Sequence, residues 1–157
     1  MKYVYKDYAK ALIKEFKFNG KRAAAREIAQ HMQDLVPDIE NLILVHIPTA
    51  TDRIRERGYD HAMLLASELA ALTGLPHLPL LARTTQQRQL GAGRTERIKN
   101  IQGAFRVLGP NHSIEGSHII LVDDVVTTGA TLNEAARILR VNKARHVEAI
   151  TFAVTIL

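Results

Sequence analysis

One segment constrains the fold more than any other: His118 to Leu132, reading HIILVDDVVTTGATL. Ile119, Ile120, Leu121 and Val122 form an unbroken apolar, β-favouring run, the pattern of a buried strand in a parallel sheet. That predicted strand delivers two adjacent carboxylates, Asp123 and Asp124. Two valines follow, then the turn Thr127-Thr128-Gly129-Ala130-Thr131, then a helical pattern. A strand–turn–helix unit of this kind offers backbone N–H groups, hydroxyls and a helix dipole to an anion. The carboxylates can accept hydrogen bonds from sugar hydroxyls, each contributing on the order of 1.5–3 kcal/mol. The segment therefore predicts an α/β fold with a sugar-phosphate site at the carboxyl end of a strand.

With 157 residues the chain is expected to form one domain, 1–157. A hydrophobic share of 46% and a charged share of 24% exclude a disordered chain. No apolar stretch reaches the roughly 18–20 residues of a membrane span, and Met1 onward shows no signal-peptide core. Cysteine is absent, which removes disulfides, thiolate metal sites and thiol catalysis; a cytoplasmic setting is expected. The seven histidines lack metal-binding spacing, and His46 and His118, beside predicted strands, read as packing residues. Charge is uneven: Arg83, Arg88, Arg94, Arg97, Lys99 and Arg106 face the single acid Glu96, in a chain of net charge +5. That bias points to an anionic partner, a phosphorylated small molecule or nucleic acid.

Helices are predicted over Tyr5–Lys17, Lys21–Leu35, His61–Thr73 and Thr131–Val141, with a short one near Thr95–Ile101. Thr131 and Glu134 have capping-box spacing. Strands are predicted over Asn41–Ile47, Leu78–Ala82, Phe105–Leu108, His118–Val122 and His146–Ile156, with Arg53–Asp60 a charged loop. The basic stretch after Ala82 reads as a long functional loop. The alternation predicts a mostly parallel central sheet flanked by helices. Met1 to Pro37 forms a helical segment in front of a core at 41–157.

LVDDVVTTGAT resembles the phosphoribosyl-pyrophosphate (PRPP) loop of type I phosphoribosyltransferases. Arg57-Gly58-Tyr59-Asp60-His61-Ala62 resembles the RGFNQA motif of the ComF/GntX-like branch. Gln89, Arg94, Arg97, Asn100 and Gly103-Ala104-Phe105 resemble its glutamine–arginine–asparagine segment, and Phe16-Lys17-Phe18-Asn19-Gly20 its start. The resemblance covers nearly the whole chain. It implies the type I phosphoribosyltransferase fold, with the N-terminal helices as a hood, and Mg²⁺-dependent transfer of ribose 5-phosphate from PRPP to a nitrogenous acceptor, with release of pyrophosphate. Three departures stand out. Many members carry a cysteine-rich zinc ribbon, which needs cysteines that this sequence lacks. Asp60-His61 replaces the usual Asn-Gln. Thr127 stands where purine-salvage relatives place a carboxylate, so a general base is not available there.

The resemblance assigns Asp123 and Asp124 to the ribose hydroxyls and Thr127, Thr128, Gly129, Ala130 and Thr131 to the 5′-phosphate. Gly129 lets the backbone approach the ligand closely. Thr49, Ala50, Arg53 and Arg57 are the candidates for pyrophosphate. Arg94 and Arg97 are the catalytic candidates, closing over the donor to neutralise the leaving group, with Arg88 and Lys99 as further cations. Mg²⁺ is expected on the pyrophosphate, with Asp123 or Asp124 as its protein contact. A P-loop ATPase is excluded, because Gly20-Lys21 lacks the upstream glycine. Two alternatives stay open: an accessory protein for DNA uptake that binds single-stranded DNA, as the branch's link to competent bacteria implies, and a PRPP sensor without turnover. The acceptor and a homodimeric state also stay open.

Overall fold

The computed structural model describes residues 3–18, 23–84, 101–109 and 114–155. In chain order the elements are β1 (Tyr3–Val4), α1 (Asp7–Phe18), α2 (Ala23–Met32), a 3₁₀ turn (Gln33–Leu35), β2 (Leu42–His46), α3 (Thr51–Arg57) and α4 (His61–Thr73). They continue as β3 (Leu81–Arg83), β4 (Phe105–Val107), β5 (His118–Val126), α5 (Ala130–Val141) and β6 (His146–Val154). A four-stranded sheet in the order β1-β6-β5-β2 is parallel throughout, and β3 and β4 form a separate antiparallel pair. The architecture is a mostly parallel central sheet flanked by helices, as the resemblance implies.

Alternation along the strands builds two cores. Even positions of β5, Ile120 and Val122, pack with Leu42 and Leu44 of β2 against α1, α2 and α4. Odd positions, Ile119 and Leu121, pack with Val45 and Val147 against Ala135, Ala136 and Leu139 of α5 and Phe105 of β4. β5 thus has no solvated face, which is why its sequence is a continuous apolar run. The N-terminal helices belong to the first core through Leu12, Ile13, Phe16, Ile28 and Met32. Alanines 24, 25 and 29 keep the face of α2 flat enough for α4 to lie close.

Several predicted boundaries move. β5 continues through the acid pair to Val126, because β6 runs beside it: Asp123 pairs with Thr151 and Val125 with Ala153. Within the stretch predicted as a charged loop, α3 forms instead and ends at Gly58, whose φ of 79° is left-handed. β1, which was not predicted, adds to the sheet edge beside β6. The capping box does not form: Gly129 occupies the N-cap of α5, and Glu134 instead accepts from the Gly103 N–H at 2.7 Å and holds Arg137. Apart from Ile101, which lies in a turn, the predicted Thr95–Ile101 helix lies outside the described residues. Among the described residues no helix is long and apolar enough to cross a membrane.

Candidate functional site

The carboxyl end of β5 and the start of α5 enclose a small open recess lined by Asp123 and residues 125–132. It therefore gathers Asp123, Thr127, Thr128, Gly129, Ala130 and Thr131 from the sequence-predicted set. Gly129 makes the turn with φ 74°, a left-handed conformation that a side-chain-bearing residue enters at a cost. Its carbonyl accepts from Asn133 N–H and begins α5, while the Thr128 hydroxyl lies 3.4 Å from the Ala130 N–H. The recess therefore faces the amino end of a twelve-residue helix, where N–H groups lack intrahelical partners.

The two acids diverge. Asp123 lines the recess and accepts from the Asp124 N–H at 2.9 Å. Asp124, on the opposite face of the strand, is only 2% exposed and meets Lys17 Nζ of α1 at 2.5 Å. His61 Nε2 lies 3.9 Å from the same carboxylate oxygen. Arg57 bonds His61 Nδ1 at 3.1 Å. The same guanidinium nitrogen lies 3.5 Å from Nε2, and the Thr49 hydroxyl lies 3.3 Å from Nδ1. Removing one partner of a buried pair costs about 3–5 kcal/mol.

This asymmetry sets the charges. Burial, followed by repulsion from Asp124, pushes Asp123 up to about 8. Burial also disfavours the Asp124 anion, but Lys17 and His61 outweigh it and hold that carboxyl below its ordinary value. At neutral pH the pair therefore carries one proton, held by Asp123. Burial lowers His61 to about 4, against the pull of Asp124, so it is neutral.

The predicted pyrophosphate loop lies beyond β2. Thr49 gives its N–H to Asp60 Oδ2 at 3.2 Å and its hydroxyl to Asp60 Oδ1 at 2.7 Å. Asp60 also caps α4 by accepting from the Met63 N–H. Ala50 caps α3, with its carbonyl taken by Arg53 and Ile54 N–H groups. Arg53 is exposed, whereas Arg57 turns inward to His61. Arg83 Nε braces the loop from β3 through the Pro48 carbonyl at 2.9 Å. The departures at Asp60 and His61 thus have structural uses: one anchors the loop, the other fills the gap between Phe16 and Asp124. Asp60→Ala is expected to cost about 1–2 kcal/mol through the lost cap alone, read as a lower urea midpoint with an unchanged slope.

His46 at the end of β2 bonds His77 Nε2 at 2.9 Å, and His77 Nδ1 lies 3.1 Å from the Ser67 hydroxyl. Arg88, Arg94, Arg97 and Lys99 lie outside the described residues. Among the described residues no cluster of three or more His, Cys, Asp or Glu is arranged to hold a metal ion. The one acid at the recess, Asp123, could serve Mg²⁺ in its ionised form, since this ion keeps most of its ligands as phosphate oxygens and water.

The sequence reading missed Lys17 as a site residue. The signal was present: Lys17 lies four residues after Ile13 and eight after Ala9, on the core-facing stripe of α1.

The phosphoribosyl transferase domain model matches residues 54–155. Competence protein ComFC of Bacillus subtilis is 36% identical over 95% of this chain and 61% of its own length. Competence protein F of Haemophilus influenzae is 29% identical over 82% of this chain and 60% of its own. The chain thus spans about three-fifths of the length of these relatives. Among solved structures, the glutamine PRPP amidotransferase of B. subtilis superposes with a TM-score of 0.55 at 18% identity, over 82% of this chain and 26% of its own.

Proposed function

This chain belongs to the phosphoribosyl transferase domain family as a ComF-like member, and from that premise we propose that it binds PRPP with Mg²⁺ and transfers ribose 5-phosphate to a nitrogenous acceptor. The observation that carries the reading is the recess that joins Asp123 to the Thr127–Thr131 turn at the amino end of α5. The turn takes the 5′-phosphate, through N–H groups, the Thr128 hydroxyl and the helix dipole. Asp123, the acid open to the recess, meets the ribose hydroxyls, and as a protonated carboxyl it can donate as well as accept. Asp124 supports it from the other face. Arg53 and the backbone at Thr49 and Ala50 attend the pyrophosphate end, and Arg94 and Arg97 are assigned to the departing charge. Asp123, once it has lost its proton, would be the protein-side contact for Mg²⁺, which would supply positive charge to the pyrophosphate oxygens. The remaining catalytic contribution is orientation and exclusion of water, since the residues assigned here include no general base for the acceptor.

Calorimetry with PRPP and Mg²⁺ tests the donor assignment. Thr128→Val is expected to weaken binding about tenfold, equivalent to about 1.4 kcal/mol, and chelation of Mg²⁺ to weaken it further. Unchanged affinity in Thr128→Val would remove the phosphate assignment. Release of pyrophosphate across a panel of nucleobases and amines separates transfer from binding alone.

A second reading draws on the names of the relatives, both competence proteins: a role in handling DNA. The net charge of +5 favours a polyanion. Single-stranded DNA binding that falls steeply with salt and is lost in Arg94→Ala/Arg97→Ala would support it.

A further inference from the structure

A groove of about 390 Å³ opens on the other side of the phosphate turn. It shares Thr128 and Ala130 with the donor recess and runs along α5 past Asn133 to Arg137, with Ile101 and Gln102 as its facing wall. PRPP does not extend into it, because its 5′-phosphate is a monoester and ends at the turn. Only a phosphate that carries a second organic group fills recess and groove together. We propose that the groove takes a nucleoside esterified to the phosphate in the turn, so that the site also accepts the 3′-terminal pair of nucleotides of a single-stranded nucleic acid. This rests on the assignment of the turn to a ribose 5-phosphate and deepens it.

The lining of the groove selects a nucleoside. Arg137 Nε and Nη2 donate to the two oxygens of Glu134, each at 2.8 Å, and the Gly103 N–H holds Glu134 in turn at 2.7 Å. Glu134 is only 6% exposed, so the guanidinium stands on a fixed base. The pair spends two of its five N–H groups; three remain for acceptors, and its flat face remains for stacking on a base. Because Glu134 cancels the charge of Arg137, the groove suits a neutral sugar and base better than a second phosphate. Gln102 and Asn133 bring amides, which donate and accept as base edges do, and Ile101 and Ala130 bring apolar contact. Ala130 to Arg137 is a rise of about 10 Å along the helix, room for one nucleoside. In the recess the terminal sugar presents its free hydroxyl to Asp123, which fixes the direction of the strand. The net charge of +5 favours the rest of the polyanion.

Fluorescence anisotropy with a short oligothymidylate, labelled at its 5′ end, tests the groove, with PRPP and Mg²⁺ as the competitor. PRPP is expected to displace the strand, since both need the turn. Gln102→Ala/Arg137→Gln is expected to weaken the strand about tenfold and to leave PRPP affinity within about twofold. Asn133→Phe fills the groove from an exposed position of α5 without touching the Glu134–Arg137 pair, and the same result is expected. A phosphate added at the 3′ end of the strand is expected to weaken it, by blocking the hydroxyl at Asp123. This pattern with either oligothymidylate or oligouridylate supports the inference and tells which sugar the strand carries. Strand binding that PRPP does not displace, or that the groove variants leave unchanged, puts the nucleic acid elsewhere and overturns the inference while the PRPP reading stands. Failure of both strands to bind overturns it equally. If calorimetry shows no PRPP binding by the unsubstituted protein, the donor reading fails and the inference falls with it.

Discussion

Asp124→Asn is expected to lower the unfolding free energy by about 3 kcal/mol at neutral pH, whereas Asp123→Asn, one residue earlier, is expected to raise it. The opposite signs follow from the two faces of β5. Asparagine at 124 keeps the shape but leaves the Lys17 ammonium in a pocket built for a counter-ion. The figure sits at the low end for a buried pair because Lys17 keeps 16% of its side chain exposed and can shift toward water. In a chain of this size it corresponds to a melting temperature lower by roughly 6–12 °C. Asp123 behaves differently, because its carboxyl, raised to about 8, already carries a proton over most of the acidic and neutral range. An acid whose folded pKa exceeds its unfolded value contributes fully below the unfolded value, near pH 4, and loses that contribution as pH rises toward 8. Asparagine mimics the protonated form at every pH. Its advantage should therefore be near zero at pH 4 and reach on the order of 1–3 kcal/mol at pH 8 and above. Urea unfolding of both variants at pH 5, 7 and 8.5 checks the pattern. Equal losses at the two positions would mean that the acids are equivalent after all.

The parts of the fold that repeat a local pattern were legible in the sequence. β5 declared itself through Ile119–Val122, α4 through its span His61–Thr73 and its stop at Gly74, and α5 through Leu132, Ala135, Ala136 and Leu139. The recess was legible for the same reason, since strand, acids, turn and helix are contiguous in the chain. What depended on distant partners was not. β1 has two residues and exists because β6 offers it an edge. β5 runs on past Val122 because Thr151 and Ala153 stand beside it. Glu134 has the spacing of a capping residue, but the Gly103 N–H, arriving from the other side of the β3–β4 connection, is the stronger claim on it. The role of Lys17 spans more than a hundred residues, from α1 to β5, and only its place on an apolar stripe hinted that a buried anion awaited it.

Acidification from pH 7 to 4.5 is expected to destabilise the protein by several kcal/mol through three histidines that the fold keeps neutral. Burial is the leading cause for each: it lowers His61 to about 4, His77 to about 4, and His46 in the same direction. A base whose folded pKa lies below its unfolded value near 6.5 is destabilising once the unfolded chain protonates. The loss therefore begins below about pH 6.5 and grows until the folded groups protonate near pH 4, giving roughly 2 kcal/mol each for His61 and His77. His46 and His77 do not titrate independently, because their 2.9 Å bond requires one ring to donate and the other to accept. Protonating both turns the bond into a contact between two donors beneath the end of β2, close to Thr49 and Asp60. His61 is the cleaner probe, since it stands apart from that pair between Arg57 and Asp124. His61→Gln, which restores the residue of the resembling motif, should leave stability at pH 7 within about 1 kcal/mol, as a polar replacement of similar reach, and remove about 2 kcal/mol of the loss at pH 4.5. Urea titrations at the two pH values give the difference directly. An acid loss unchanged in His61→Gln would place the sensitivity in the His46–His77 bond, where His77→Gln must then reduce it.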